Sequence, residues 1–327
     1  MVMKQLLEKC SELPGIQAVD HGEYAELKYQ NGHDNGCMAF VPVFPGITLA
    51  FIKIQSGSWP APDLFGMLSS DRGPFTINYC VSGRCELQLN NDSYVYVTEN
   101  QFSLSESYAR NSYIYPERNY NGIEIFVDME AVKQSTFLSE HFEILMEELS
   151  DKYCKGLKTY IAPAAAELAG EFTALWRSYE TKGICADARV KVHVLAILSI
   201  LSEQTADETK QTCTFYTKSQ VAIAKAVREI LTSDLAVHYS AKELAGRYSI
   251  SESSLKNYFR GVYGRNISDY MNRLRMEKAA ELLEDTGMSV LEVAEKVGYQ
   301  NQSKFAAAFK REYALSPRQY RLEKSTM

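Results

Sequence analysis

A chain of 327 residues with 46% hydrophobic side chains can bury two domain cores, and its net charge of −6 excludes a uniformly basic, nucleic-acid-coating surface. Seven cysteines, an odd number without a C-x-x-C pair, fit a reducing cytoplasm better than a disulfide framework, and the apolar runs fall well short of a transmembrane helix. The start, Met1-Val-Met-Lys-Gln-Leu-Leu-Glu-Lys-Cys10, lacks the apolar core of a signal peptide, so a soluble cytoplasmic protein with no membrane partner is expected.

Residues 1–36 read as a short amphipathic start followed by a polar surface segment. His21 and His33 lie there beside Asp20 and Asp34, but all five histidines are isolated in sequence, at 21, 33, 141, 193 and 238, so no metal site and no cofactor are expected. From Ala39 to Asp128 the character is β. Residues 40–44 and 47–54 are β-branched or aromatic runs broken by Pro45-Gly46. Residues 75–81 and 84–89 read as two strands joined by a Ser82-Gly83 turn, with Leu87 and Leu89 alternating with Glu86 and Gln88. Asn90-Asn91-Asp92 supplies a tight hairpin before residues 93–98, and further strands are expected at 102–104 and 122–127. Short strands at this spacing imply a barrel or sandwich. Cys80 and Cys85 flank the Ser82-Gly83 turn, where small apolar packing is the expected role and a redox pair the alternative.

Residues 131–204 read as helical. Leu138, Phe142, Leu145, Met146 and Leu149 recur at helical spacing, followed by helices over 164–179 and 188–201, the last apolar almost all round. Residues 203–214 are polar and aperiodic and read as a linker, and residues 218–232 restart the helical pattern with Val221, Ala224, Val227 and Leu231 inward. The charge divides at this point. Residues 219–327 carry 17 Lys+Arg against 13 Asp+Glu, whereas residues 1–218 carry 18 against 28.

The carboxyl-terminal stretch repeats itself. Ser240-Ala-Lys-Glu-Leu-Ala-Gly-Arg-Tyr-Ser-Ile250 aligns with Ser289-Val-Leu-Glu-Val-Ala-Glu-Lys-Val-Gly-Tyr299. After an inserted Gln300, Leu255, Phe259, Tyr263 and Tyr270 align with Phe305, Phe309, Tyr313 and Tyr320. Each copy reads as helix, tight turn, helix, with Ser251 and Asn301 as caps of the second helices. The outward residues of the first copy, Ser253, Lys256, Asn257 and Arg260, suit phosphate and base-edge contacts. In the second copy Ser303, Lys304, Lys310 and Arg311 surround Ala306 and Ala307, so more sequence reading is expected from the first copy and more positioning from the second. A helix over 267–285, stopped by Gly287, joins the two. At the helical rise it spans roughly 28 Å, close to the repeat of about 34 Å between successive major-groove faces.

In Leu274-Arg-Met-Glu-Lys-Ala-Ala-Glu-Leu-Leu283, Val290-Leu-Glu-Val-Ala-Glu-Lys-Val-Gly-Tyr299 and Phe305-Ala-Ala-Ala-Phe-Lys-Arg311 through Ser316-Pro-Arg-Gln-Tyr-Arg321, the chain resembles the AraC/XylS family of bacterial transcription regulators. Ala314 departs from the glycine usual in that family, and Ala306-Ala307 from its more polar pair. The segment Tyr79-Cys-Val-Ser-Gly-Arg-Cys-Glu-Leu-Gln-Leu89 is similar to the cupin-type sensor domain found at the amino end of many members. The resemblance implies an α+β chain. A cupin-like β-barrel or sandwich sensor (1–130) precedes a helical dimerisation segment (131–204), a linker (205–217) and an all-α DNA-binding domain of two helix-turn-helix units (218–327). It further implies a non-enzymatic, ligand-responsive activator that binds double-stranded DNA as a homodimer, with RNA polymerase as a candidate partner. Tyr79, Tyr96, Arg84 and Arg110 are candidate contacts to a small-molecule effector of unknown identity, the arginines for an anionic group. Two alternatives stay open: a DNA-repair or other enzyme with an appended helix-turn-helix domain, for which the scattered cysteines supply no motif, and a regulator without a ligand.

Overall fold

The computed structural model describes residues 2–60, 75–89, 93–106, 114–154, 159–184, 188–204, 214–285 and 287–325. They divide into two units, residues 1–215 and 216–327.

The first unit opens with helix α1 (Val2–Ser11) and continues through eight strands: β1 (Ile16–Asp20), β2 (Ala25–Asn31), β3 (Asp34–Phe44), β4 (Ile47–Gln55), β5 (Phe75–Gln88), β6 (Ser93–Thr98), β7 (Gln101–Glu106) and β8 (Tyr120–Val127). There follow α2 (Met129–Ser135), α3 (Phe137–Phe142), α4 (Met146–Cys154), β9 (Thr159–Pro163), α5 (Ala166–Lys182) and α6 (Ala188–Glu203). The strands run antiparallel in the order β1-β2-β3-β4-β8-β5, after which β5 pairs with β7 along its first half and with β6 along its second. β9 extends β7. Among the described residues no pairing returns from β6 or β9 to β1, so the sheet is open and antiparallel.

Strand alternation sends the side chains to two different cores. Val41, Leu49, Phe51, Phe75, Ile77, Tyr79, Ile123 and Ile125 form one face with α2 to α6, on which Phe51 stacks on Tyr179 at 4.5 Å and Tyr79 on Phe172 at 4.4 Å. Leu27, Met38, Phe40, Ala50, Ile52, Cys80, Cys85, Val95, Tyr120, Phe126 and Ile161 form the other. Strands from both sides of the order contribute to this second cluster, so that face curls inward. The helices expected to join two chains bury Val190, Val194, Ile197, Leu198 and Leu201 against their own sheet, with Val192 left 62% exposed. Tyr153 donates its hydroxyl to the Leu201 carbonyl at 3.1 Å, which ties α4 to the end of α6.

Three expectations are corrected. Ser82-Gly83 is not a hairpin turn: β5 runs unbroken from Phe75 to Gln88, with a bulge between Cys80 and Ser82. Cys80 and Cys85 therefore do not face each other across a hairpin. Residues 1–36 contain β1, β2 and the start of β3, because the hydrogen-bonded neighbours of a strand supply what its polar sequence does not advertise. Residues 131–204 are not wholly helical, since β9 interrupts them and Glu143, at φ 55°, ends α3 inside the expected first helix. Asn90-Asn91-Asp92, Arg110 and residues 205–213 of the expected linker lie outside the described residues.

Candidate nucleic-acid interface

The second unit is helical: α7 (Lys218–Ser233), α8 (Ala241–Arg247), α9 (Glu252–Tyr263), α10 (Ile267–Asp285), α11 (Val290–Lys296), α12 (Gln302–Tyr313) and α13 (Pro317–Ser325). The sequence repeat is a structural repeat. Ser240 caps α8 by accepting from the Glu243 amide, and Ser289 caps α11 by accepting from Glu292. Ser251 accepts from Ser254 at the start of α9, and Asn301 from Lys304 at the start of α12. Both turns need one left-handed residue, Ser249 at φ 53° and Gly298 at φ 87°. Both then close with the same bond, Ile250 N–H to the Ala245 carbonyl at 3.2 Å and Tyr299 N–H to the Ala294 carbonyl at 2.9 Å.

Behind each second helix lies the same aromatic triangle. Phe259, Tyr263 and Tyr270 stand 4.7, 5.3 and 5.1 Å apart, and Phe309, Tyr313 and Tyr320 stand 4.7, 5.3 and 5.1 Å apart in the equivalent pairs. These rings fix the roll of α9 and α12 about their own axes, and so decide which side chains face outward. The phenol ends differ: Tyr270 accepts from Arg228 Nε at 2.6 Å, whereas Tyr320 donates to Glu284 at 2.6 Å.

Ser253, Lys256, Asn257 and Arg260 of α9 are all exposed, as are Ser303, Lys304, Lys310 and Arg311 of α12. Lys256 pairs with Glu252 one turn earlier at 2.5 Å, an exposed contact that solvent screens and that a phosphate can replace. On α12 Ala307 is exposed and Ala306 half-buried, which leaves the middle of that helix without a polar side chain. The joining helix, α10, has 19 residues. Arg275 lies buried on it and reaches the loop between α7 and α8, donating to the Leu235 carbonyl at 2.8 Å.

In the first unit Tyr79 is 5% exposed, with its ring on Phe172 and its hydroxyl donating to Asn100 at 2.9 Å. Arg84 lies over the Tyr96 ring at 5.5 Å with Glu117 at 4.0 Å, and the Tyr96 hydroxyl donates to Glu86 at 2.8 Å. Tyr79 thus serves the helix-covered core, while Arg84 and Tyr96 form a separate pair on the β5–β6 hairpin. Burial pushes the thiols of Cys80 and Cys85 well above the ordinary range, which disfavours the thiolate that redox chemistry needs. Sequence reading passed over Glu124. Its signal was present, since Ile123, Ile125 and Val127 claim one face of β8 and leave Glu124 on the other, buried, side.

Two helix-turn-helix units on one helical scaffold, each presenting an exposed second helix, define a domain of the DNA-binding helix-turn-helix class. Residues 244–323 match the family described as "Helix-turn-helix domain". The HTH-type transcriptional regulator MtrA of Neisseria gonorrhoeae is 38% identical over 85 residues, 26% of this chain and 28% of the relative. The HTH-type transcriptional activator RhaR of Cronobacter sakazakii is 31% identical over 91 residues, 28% of this chain and 32% of the relative. The chain thus spans about a third of the length of the curated relatives it matches. Among solved structures, the DNA-binding domain of the global transcriptional factor AdpA in complex with a target DNA is 27% identical, with a TM-score of 0.30 over 32% of this chain and 93% of that one. The chain carries an AraC-type helix-turn-helix domain at its carboxyl end.

Proposed function

We propose that the protein is a sequence-specific DNA-binding transcription regulator whose amino-terminal unit is a cupin-like sensor for a small-molecule effector. The observation that carries this reading is the duplicated unit: two capped second helices backed by aromatic triangles of the same spacing, with eight exposed polar or basic residues. Arg260 and Asn257 are suited to guanine and adenine edges, and Lys256, Lys304, Lys310 and Arg311 to phosphates. The domain's modest basic excess favours binding as a homodimer, in which two chains share the electrostatic work. The effector shifts occupancy of the operator by its different affinity for two states of the chain. Activation, with RNA polymerase as the partner, is the sign of regulation in this reading; one of the similar proteins, RhaR, is named an activator.

The test is selection of bound DNA from a random library with the full-length protein at two salt concentrations. Two short blocks about one helical turn apart are expected. Retention without sequence preference at either salt would overturn the reading.

A further inference from the structure

We propose that the concave face of the sheet binds a small organic amine, with Glu124 as its counter-ion and Trp59, Tyr115 and Tyr120 as aromatic walls. This rests on the sensor reading of the amino-terminal unit and deepens it by naming the ligand's chemistry.

Glu124 is 5% exposed, and its strand neighbours place it among hydrophobic or neutral groups: Ala50 pairs with it from β4 and Asn78 from β5. Among the described residues its carboxyl makes no hydrogen bond and no ion pair. The two other buried glutamates of this unit are provided for, Glu26 by Lys28 at 2.8 Å and Glu86 by the Tyr96 hydroxyl at 2.8 Å. Its cross-strand neighbour Asn78 is engaged elsewhere, its Oδ1 accepting from the Tyr120 hydroxyl at 2.9 Å. A carboxyl left in this condition is costly to a fold unless something outside the chain completes it.

The surroundings fit a cation. Tyr115 stacks on Tyr120 at 4.8 Å, and both are 1% exposed. Tyr120 folds back over Gly122, where an added Cβ would lie 2.5 Å from its hydroxyl, so the ring leans along β8 toward Glu124. The Trp59 ring packs over Gly36, the cross-strand partner of Ile54, which in turn pairs with Tyr120. Aromatic faces attract ammonium groups, most strongly when water is excluded. Trp59 also keeps a buried Nε1–H without a hydrogen-bond partner among the described residues. Burial pushes the Glu124 carboxyl up to about 8, so near pH 7 it holds its proton; an ammonium beside it favours the carboxylate, the proton leaves to solvent, and an ion pair forms.

The experiment measures thermal shift and calorimetric binding on the full chain with tyramine against tyrosol and 2-phenylethylamine against 2-phenylethanol, pairs that differ only in amine for hydroxyl. The expected result is at least tenfold tighter binding of the amines, a preference that Glu124→Gln abolishes and Trp59→Phe leaves in place with weaker binding overall. Equal binding of amine and alcohol, survival of the preference in Glu124→Gln, or no shift with either amine would each overturn the proposal. Retention of selected DNA by the unliganded protein, measured in parallel, reports separately on the DNA-binding reading.

Discussion

The guanidinium of Arg275 lies 3.3 Å from Nδ1 of His238, and the opposite ring nitrogen of His238 lies 2.9 Å from the Gly298 carbonyl. Arginine only donates, so in this geometry Nδ1 accepts and Nε2–H donates to the carbonyl, which fixes the orientation of the ring. Arg275 also donates to the carbonyls of Leu235 and Val237, at 2.8 and 3.2 Å. The loop before the first helix-turn-helix unit is thereby fastened both to the joining helix and to the turn of the second unit. Arg275→Met should remove these donors at once and destabilise the domain by about 2–4 kcal/mol, read as a lower urea midpoint of the full chain. A loss too small to measure would mean that packing, not the arginine, holds the loop.

Ala314 closes α12 at φ 59°, in the position where Gly264, at φ 70°, closes α9. A Cβ is disfavoured in this left-handed conformation, and glycine is the ordinary occupant. Ala314→Gly should raise stability by about 1 kcal/mol after the added chain entropy is deducted, detectable by denaturant unfolding. No gain would show that the left-handed cap is unstrained.

Gly83 permits the bend in β5. It sits at φ 87°, and a Cβ there would lie 2.1 Å from the Asn119 carbonyl oxygen, a backbone atom that cannot swing aside. Gly83→Ala should cost about 2–4 kcal/mol, through both clash and backbone strain. The midpoint of thermal unfolding of the first unit, followed by the near-ultraviolet signal of its tryptophans, measures this; an unshifted midpoint would contradict the geometry.

The Glu124 carboxyl is pushed up from 4.5 to about 8 by burial, with Asn78, Tyr115, Tyr120 and Cys85 facing it. Between those values the folded chain holds a proton that the unfolded chain releases. Its contribution to stability is therefore full below about 4.5 and is lost as pH rises to about 8. Unliganded protein should lose on the order of a few kcal/mol across this window relative to Glu124→Gln, whose amide does not titrate. Parallel slopes for the two proteins would count against a buried carboxyl at this position.

The two readers should differ in kind. Arg260→Ala is expected to weaken specific binding by about 1–3 kcal/mol and relax preference at one base pair. Lys310→Ala and Arg311→Ala, on the helix whose middle is Ala306-Ala307, should each weaken binding to all sequences alike and lower the salt slope by about 1. Randomised-site selection and salt titration separate the two behaviours, and a changed base preference in the α12 variants would assign base contacts, not phosphate contacts, to Lys310 or Arg311.

The sequence alone determined the carboxyl-terminal architecture. Its offset of 49 to 50 residues recurs in the bounds of α8 and α11 and of α9 and α12, and α10 runs from Ile267 to Asp285 as its periodicity predicts. Helix signals are local: caps, 3.6-residue periodicity and stops all lie within a few residues of what they specify. The outward faces of the readers follow from the same periodicity, so the exposed set on α9 was legible as well. Tertiary structure alone decided the rest. That Ser82-Gly83 bends one strand instead of joining two depends on which strands pair on either side of it, β8 and β7 before the bend and β6 after. That Tyr79 belongs under the helices and Glu124 on the concave face depends on which side of the sheet α5 covers, a choice no single strand records. Strand partners lie tens of residues apart, and alternation assigns a residue to a face without saying what that face will meet.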